Sequence, residues 1–188
     1  LLPHQKKAIN KIDRSDAMLL FHGLGSGKTL TSIVGSNGNV VAVTPASLRN
    51  NIPDTIKKFN LKKNINVFSY EGATKNKPQG DTLILDEAHR IGRTDSNRSK
   101  ALVDMTKSYK RVILLSGSPI RNSPSEIAPL ANALHFGKKV MPTDAGSFNE
   151  KYIDTTEVSP GIVGYLMGGD KATVESIKNQ DDIRKIFK

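Results

Sequence analysis

The feature that most limits what this chain can fold into is a glycine-rich turn between an apolar run and a helix-forming stretch. Residues 17–21 read AMLLF, which is typical of a buried strand, and residues 28–34 carry apolar side chains at helical spacing. The glycines of the turn are Gly23, Gly25 and Gly27. Glycines let the backbone bend tightly, so that its N–H groups can point at an anion. The N-terminus of the following helix also attracts an anion. We interpret the turn as a phosphate-binding loop, because that loop requires a strand before it and a helix after it.

The residues that close the turn carry the chemistry expected of such a loop. Lys28 can reach the β- and γ-phosphates of a nucleotide, and the Thr29 hydroxyl can bind Mg²⁺. Ser26 lies within the loop and is counted among the nucleotide-binding residues. The usual pattern, G-x-x-x-x-G-K-[ST], is broken at one position, because His22 stands where the first glycine belongs. The loop alone therefore leaves the kind of nucleotide site open.

Further apolar runs alternate with helix-forming stretches. Strands are predicted at residues 40–44, 65–70, 82–89 and 111–119, and helices at residues 45–59, 99–108 and 123–134. We expect Pro53 to interrupt the first of these helices and the last 18 residues to form a polar helix. Apolar strands that alternate with helices predict an α/β fold, with a mainly parallel sheet flanked by helices on both faces.

Two adjacent acids follow the apolar part of the predicted strand at residues 82–89. Asp86 stands where a carboxylate can hold Mg²⁺, directly or through water, and Glu87 can accept a proton from an attacking water. Two acids at a strand end also fit a solvated turn, but the phosphate-binding loop upstream favours the catalytic interpretation. Open parallel sheets bind ligands outside the carboxyl ends of their strands. We therefore expect the loop and the acids to lie at the ends of neighbouring strands.

Charge and composition narrow the classes of partner. The chain has 28 Lys and Arg against 18 Asp and Glu, a net charge of +10, and residues 1–64 hold +7 of it. This excess favours a polyanionic partner or a phosphorylated ligand, although a merely solvated surface is an equal alternative on charge alone.

The chain contains no cysteine, which excludes disulfides, thiolate metal sites and thiol catalysis. No apolar run approaches the roughly 20 residues of a membrane-spanning helix, and no signal peptide is visible.

Five segments occur in the order found in helicase superfamily two, and the sequence resembles the Swi/Snf-type branch of that superfamily. They read LLPHQKKAI (1–9), GLGSGKT (23–29), VTPASL (43–48), DEAH (86–89) and LSGSPIRNSPSEIAPL (115–130). They resemble, in this order, the adenine-recognition segment and motifs I, Ia, II and III. The superfamily does not require glycine at the sixth position before the motif I lysine. His22 therefore fits this superfamily better than the strict phosphate-loop GTPases and kinases.

A finer resemblance concerns the Swi/Snf-type ATPases of large DNA viruses and phages. It is carried by LLFHGLGSGKTLTSI at residues 19–33 and by GIVGYLMGGD at residues 161–170. This resemblance implies an intracellular protein, cytoplasmic or nuclear, such as a phage or viral protein in its host cell.

The resemblance assigns roles to the residues of the nucleotide site. Gln5 would read the adenine edge, which implies ATP as the nucleotide; the alternative is an exposed helix residue. Thr29 and Asp86 would hold Mg²⁺, and Lys28 would hold phosphate. Glu87 would activate the attacking water, so that Lys28 and Glu87 are the expected catalytic residues.

The resemblance also implies residues that couple the nucleotide to nucleic acid. His89 would link motif II to motif III, and Ser116 and Ser118 would couple the ATP state to nucleic acid; the alternative is local hydrogen bonding within two turns. The residues expected near the phosphates of a bound strand are Thr44, Pro45 and Arg49, with Lys57 and Lys58 as further candidates.

The function expected from these resemblances is that of one half of a motor. Residues 1–134 are the expected N-terminal RecA-like ATP-binding lobe, and residues 135–188 an extension of it. Leu1 is not a natural first residue, so we expect sequence upstream, and we expect a second lobe outside this chain that supplies arginine fingers. The motor would couple ATP hydrolysis to movement along double-stranded DNA or to strand separation. The alternatives are a nucleic-acid-binding module with a degenerate ATP site, and an ATPase that acts on RNA or protein, such as a transcription termination or packaging factor.

Overall fold

The computed structural model describes residues 1–23, 25–92, 96–118, 120, 122–158 and 172–187. Five strands form the main sheet: β1 (Ala17–Phe21), β2 (Val40–Thr44), β3 (Ile65–Ser69), β4 (Thr82–Leu85) and β5 (Arg111–Ser116). The helices around it are α1 (Pro3–Asp13), α2 (Lys28–Gly35), α3 (Asn51–Lys58), α4 (Tyr70–Asn76), α5 (Asn97–Met105) and α6 (Ile127–Leu134). Short 3₁₀ turns occupy Ala46–Leu48, Ala88–Ile91, Thr106–Ser108 and Pro124–Glu126.

The main sheet is parallel throughout and has the strand order β1-β5-β4-β2-β3. Strands β2 and β4 are buried at every position, as expected for parallel strands that are covered on both faces. Alternate residues along each strand contribute to two separate cores. Val43 and Leu114 pack with residues of α4, α5 and α6, whereas Ala42 and Ile113 pack with residues of α1, α2 and α3. The predicted α/β fold with helices on both faces is confirmed.

The order of the strands corrects one expectation. Strand β1, which leads into the glycine-rich loop, and β4, which leads to the acids, are not neighbours, because β5 lies between them and pairs with both. A chain of alternating strands and helices does not reveal which strands are adjacent in the sheet. The strand that ends at Ser116 therefore separates the two motifs by one strand position.

Most predicted elements are present, but several have different boundaries. The strand predicted at residues 82–89 ends at Leu85, and the one predicted at 111–119 ends at Ser116. Pro53 does not interrupt a helix, because a 3₁₀ turn ends at Leu48 and α3 begins at Asn51. Pro53 thus lies in the first turn of α3, where the backbone N–H groups have no partner within the helix and its missing N–H costs little.

The chain beyond residue 134 forms a smaller unit that packs on α6. It contains α7 (Ala145–Tyr152), an antiparallel pair of β6 (Ile153–Val158) and β7 (Ala172–Ile177), and α8 (Gln180–Ile186). Phe148 and Tyr152 pack with Ala128 and Ala131 of α6. The polar helix expected in the last 18 residues is shorter than predicted, since β7 takes up residues 172–177. The segment at 161–170, which resembles viral and phage ATPases, lies outside the described residues.

Within the described ranges, no helix has the length and apolar character needed to cross a membrane.

Candidate nucleotide-binding site

The glycine-rich loop leaves β1 and enters α2 through two glycines in the left-handed region. Gly25 has a φ of 75° and Gly27 a φ of 79°, values that favour glycine over residues with side chains. A Cβ atom placed on Gly23 or Gly25 would meet nothing within 4 Å, so the loop faces open space that a ligand can fill. Because α2 starts at Lys28, the loop delivers the N-terminus of a helix to this space.

The loop residues hold the polar groups that a phosphate needs. The Lys28 ammonium donates to the carbonyl oxygens of His22 at 2.7 Å and Gly23 at 3.0 Å, and so lies against the loop. The Ser26 hydroxyl is buried and has no hydrogen-bond partner among the described residues. A buried polar atom without a partner is costly in a folded protein, and a phosphate oxygen at the loop would satisfy it.

Gln5 ties α1 to the loop. Its amide nitrogen donates to the Ser26 carbonyl at 3.2 Å, and its amide oxygen accepts from the Leu2 N–H at 2.9 Å. Gln5 is only 5% exposed, so the alternative of an exposed helix residue is wrong. A side chain at Gly27 would overlap the Gln5 amide, which gives that position a second reason to be glycine. Both ends of the amide are engaged within the protein here, and recognition of adenine by Gln5 stays a prediction.

Asp86 is held in a buried position directly after β4. One carboxylate oxygen accepts from the Glu87 N–H at 3.0 Å, and the other lies 3.4 Å from the Thr44 hydroxyl. Burial, followed by the negative charge of Glu87, raises the pKa of the Asp86 carboxyl above its ordinary value. A cation such as Mg²⁺ would stabilise the charged form of a carboxylate that is buried beside a second acid.

Glu87 and His89 connect the acid pair to the end of β5. A Glu87 carboxylate oxygen lies 3.2 Å from His89 Nδ1, and the Ser116 hydroxyl lies 3.5 Å from the same nitrogen. Ser116 in turn accepts from the Ser118 N–H at 3.2 Å. The structure thus places all four residues in one chain of contacts between the turns after β4 and β5. A role for them in coupling stays a prediction, because local stabilisation of two turns would use the same contacts.

The turn after β5 also approaches the glycine-rich loop. A Cβ atom placed on Gly117 would lie 3.9 Å from the Lys28 ammonium and 4.0 Å from the His22 carbonyl oxygen. The positive charge of Lys28 acts on Asp86 as well, where it opposes the effect of burial on the pKa of that carboxyl. The loop, the acid pair and the turn after β5 therefore form one site at the carboxyl edge of the sheet.

The segment that resembles motif Ia combines buried and exposed residues. Thr44 is fully buried and directs its hydroxyl at Asp86, and Pro45 is buried as well and has no N–H to donate. Contact of Thr44, Pro45 and Arg49 with nucleic acid stays a prediction; Ala46 and Ser47, which follow Pro45, are exposed, as is Arg49. Pro45, Ala46 and Ser47 border an open cavity of about 610 Å³ at the carboxyl edge of the sheet. Arg90 and Arg98 also line this cavity.

Lys57 and Lys58 lie elsewhere. They form the last turn of α3, which connects the carboxyl end of β2 to the amino end of β3. A connection between parallel strands has to run back across the sheet, so its end lies at the opposite edge from the site. The two lysines are exposed, but they lie at the edge of the sheet opposite the cavity. They are therefore poor candidates for a nucleic-acid-binding surface beside the cavity.

Sequence patterns missed one residue of the site, the tyrosine at the start of α4. Tyr70 is 3% exposed, and its hydroxyl donates to the carbonyl oxygens of Asp86 at 2.6 Å and Glu87 at 3.3 Å. Its place directly after β3, at the edge where the other strands end in site residues, is the signal that was available in the sequence.

The described residues fit ATP and Mg²⁺. Among them there is no cluster of three His, Cys, Asp or Glu side chains that could form a metal cage. Mg²⁺ seldom uses such a cage in nucleotide sites, since one or two protein oxygens and the phosphates usually hold it. The Thr29 hydroxyl and the Asp86 carboxylate supply protein oxygens of this kind.

A glycine-rich loop and an acid pair at one edge of an all-parallel sheet define a P-loop nucleotide-binding lobe of the RecA-like class. Residues 55–168, more than half of the chain, match the family described as the SNF2-related domain. The chain belongs to this family.

Similar proteins come from large DNA viruses and from an archaeon. The chain is 26% identical over 163 residues to a candidate ATP-dependent RNA helicase of Acanthamoeba polyphaga mimivirus, covering 80% of this chain and 36% of the relative. It is 23% identical over 222 residues to a termination factor NPH-I homolog of African swine fever virus, covering 97% of this chain and 31% of the relative. The SWI2/SNF2 ATPase core of Sulfolobus solfataricus, solved in complex with dsDNA, matches with a TM-score of 0.66 at 18% identity, over 98% of this chain and 42% of that one. The chain thus spans about a third of the length of its curated relatives.

We predict that Asp86→Asn raises the free energy of unfolding at neutral pH when Mg²⁺ and nucleotide are absent. An acid whose pKa is raised by folding contributes its full stability below the unfolded-state value, here 3.8, and loses it as the pH rises through the folded-state pKa. The asparagine carries no charge, and its amide can still pair with Thr44 and the Glu87 N–H. Urea unfolding at several pH values in a metal chelator measures the effect, which should vanish below pH 3.8.

Asp104→Asn, at an exposed ion pair with Lys107, is the control and should change stability by no more than about 0.5 kcal/mol. A less stable Asp86→Asn variant at neutral pH would contradict the account of Asp86 as a strained, buried carboxylate.

Proposed function

We propose that this chain is the ATP-binding lobe of a nucleic-acid-dependent ATPase that couples ATP hydrolysis to movement along DNA or to separation of its strands. The observation that carries the proposal is the meeting of Lys28, the acid pair and Gly117 at the carboxyl edge of one sheet. The loop supplies groups for phosphate, and the acids supply groups for a metal ion and a water. The end of β5 lies beside the loop at Gly117 and reaches Glu87 through Ser116 and His89. Membership of the SNF2-related domain family supports the same activity.

The chain's own residues divide the work of hydrolysis. The loop amides and Lys28 bind and orient the phosphates, since the Lys28 ammonium has a third N–H donor beside the two that bond to carbonyl oxygens. Thr29 and Asp86 would hold Mg²⁺, which neutralises charge on the phosphates when bound. The half-buried Glu87 carboxylate accepts a proton from the attacking water, and His89 holds that carboxylate from the side of β5.

The same contacts offer a route for coupling. His89 lies within reach of both Glu87 and Ser116, and Ser116 accepts from the backbone of Ser118. A change in the position of the water or of the γ-phosphate would reach the turn after β5 through these groups. Asn122 and Glu126, which follow this turn in the sequence, line the cavity beside Ala46 and Ser47.

The proposed partner is nucleic acid, with double-stranded DNA favoured. The solved structure that this fold matches is an ATPase core in complex with dsDNA, and residues 1–64 carry +7 of the net charge of +10. Exposed Arg49, Arg90 and Arg98 lie at the carboxyl edge, beside the nucleotide site. Backbone phosphates would meet these guanidinium groups without regard to base sequence. A second RecA-like lobe of the full-length protein would complete the site, consistent with relatives about three times as long as this chain.

A second candidate is an ATPase of viral transcription that acts on RNA or on the transcribing complex. The names of two relatives favour it, because one is a termination factor homolog and the other a candidate RNA helicase. ATP hydrolysis by the full-length protein, measured with saturating duplex DNA, single-stranded DNA or RNA, separates the two. Stimulation by RNA alone would favour this candidate over a DNA motor.

We predict that Lys28→Ala weakens ATP-Mg²⁺ binding by at least tenfold, about 1.4 kcal/mol or more, because the ammonium is the main positive charge of the loop. Titration calorimetry on the chain measures this, with Lys100→Ala on the exposed surface of α5 as the control. Equal affinities for the wild type and Lys28→Ala would overturn the nucleotide site. A wild type that fails to bind ATP would favour a nucleic-acid-binding module with a degenerate site.

We predict that Glu87→Gln keeps ATP binding and lowers hydrolysis by the full-length protein roughly 10²- to 10⁴-fold, because an amide cannot take the water's proton. Phosphate release measures hydrolysis, and Glu150→Gln at an exposed position of α7 serves as the control. Undiminished turnover by Glu87→Gln would rule out Glu87 as the base.

We predict weak, sequence-independent DNA binding by this lobe, with a slope of log affinity against log salt of roughly −2 to −4. Arg49→Ala should weaken binding and flatten the slope by about 1, since one phosphate contact is lost. The double variant Lys57→Ala/Lys58→Ala is the matched control, because its lysines lie at the opposite edge of the sheet. Fluorescence anisotropy across a salt series with duplex and single-stranded DNA measures both. A larger loss in the double variant than in Arg49→Ala would refute the assignment of the DNA surface to the carboxyl edge.

A further inference from the structure

Tyr70 occupies a place that the proposed chemistry does not yet explain. It follows the last residue of β3 and begins α4, whose first turn is capped by the Ser69 hydroxyl. The ring packs in the core with Val43, Leu85 and Ala88, and the side chain is 3% exposed. The cap and the packing fix the tyrosine from both ends, so its hydroxyl has a defined direction.

That hydroxyl points at the backbone of the acid pair. It donates to the Asp86 carbonyl at 2.6 Å and lies 3.3 Å from the Glu87 carbonyl. Both carbonyls lie beyond the end of β4, where the strand ladder no longer supplies donors to them. Burial, followed by the charge of Asp86, raises the pKa of the Tyr70 hydroxyl, so it remains a proton donor at any pH at which the protein works.

The backbone that Tyr70 holds is in an unfavourable conformation. Glu87 has a φ of 54° and a ψ of 50°, the left-handed region that residues with side chains seldom adopt. Such a conformation persists only where the surroundings enforce it, and it commonly occurs at functional sites. The contacts that enforce it include the Tyr70 hydroxyl and the Arg90 N–H, which donates to the Glu87 carbonyl at 3.0 Å.

We propose that Tyr70 is a positioning residue for ATP hydrolysis: its hydroxyl holds the left-handed turn at Glu87 and thereby aims the carboxylate of the general base. The inference rests on the proposed ATPase function and names the residue that sets the geometry of its base. Tyr70 acts through Glu87 and touches neither the nucleotide loop nor the metal-binding oxygen atoms. Its loss should therefore slow the chemical step and leave ATP binding unchanged.

A second tyrosine provides a matched control. Tyr109 is 4% exposed, packs in the same core, and donates through its hydroxyl to the Pro78 carbonyl at 2.5 Å. Tyr109 lies two residues before Arg111, the amino end of β5, away from the acid pair. Tyr70→Phe and Tyr109→Phe each remove one buried hydroxyl that bonds to a backbone carbonyl. They differ in whether that carbonyl belongs to the turn at Glu87.

The test measures kcat and KM for ATP in the full-length protein with saturating DNA, together with the dissociation constant for ATP-Mg²⁺ and the thermal midpoint. We expect Tyr70→Phe to lower kcat at least tenfold, with KM and the dissociation constant within twofold of the wild type. We expect Tyr109→Phe to shift the thermal midpoint by a similar amount and to keep kcat. If the Tyr70 hydroxyl acts only by positioning Glu87, its removal should not slow an enzyme that already lacks the Glu87 carboxylate. The double variant Tyr70→Phe/Glu87→Gln should therefore have the same kcat as Glu87→Gln alone.

Each outcome separates this inference from the function on which it rests. A wild type that hydrolyses ATP, with Tyr70→Phe and Tyr109→Phe equal in kcat, overturns the role of Tyr70 and leaves the ATPase standing. If the wild-type protein does not hydrolyse ATP in the presence of DNA or RNA, both the proposed function and this inference are overturned. If Tyr70→Phe fails to fold, Tyr70 substituted by 4-fluorophenylalanine keeps the ring shape without the donor, and unchanged kcat in that protein also overturns the proposal.

Discussion

The parallel pairing of β5 with β1 on one side and with β4 on the other is the constraint on which the site depends. Parallel strands lie about 4.8 Å apart. This pairing therefore sets the spacing between the glycine-rich loop, the turn at Gly117 and the acid pair. Because β5 is buried on both faces, its position between β1 and β4 is fixed, and the three turns lie along the same edge of the sheet. The site is a property of the sheet edge, and no single loop could supply it.

Buried polar contacts then fix the direction of each group at that edge. Gln5 holds the loop at Ser26, Thr44 lies against the Asp86 carboxylate, and Tyr70 bonds to the carbonyl groups of the two acids. Each of these residues comes from a different element, and each is almost fully buried. In a low-dielectric setting such contacts are strong when satisfied and costly when broken. The loop and the acid pair are thus held in place by side chains from elements that are distant in sequence.

The sequence was sufficient for the fold class and for the residues of the loop and the acid pair, since these depend on local patterns. Gly25 and Gly27 occupy left-handed positions, as a phosphate-binding loop requires, and Asp86 directly follows a buried strand. Strand order was not predictable, because nothing local to β1 or β4 indicates that β5 lies between them. The burial of Thr44 and Pro45 was missed for the same reason: their surroundings come from elements distant in sequence. Glu87 shows a further limit, because its left-handed backbone follows from contacts with Tyr70 and Arg90 and not from its own preference.

The two carbonyl bonds of Lys28 have a consequence for selectivity among anions. The ammonium has three N–H donors, and two of them already bond to carbonyl oxygens of the protein, so an anion that takes more than one donor competes with the loop. Inorganic phosphate or pyrophosphate brings few other contacts to offset that competition. A nucleoside triphosphate brings a base, a sugar and a metal ion in addition. In the proposed function, a ligand that draws more than one donor from Lys28 would need such further contacts, which favours a nucleoside triphosphate over a small anion.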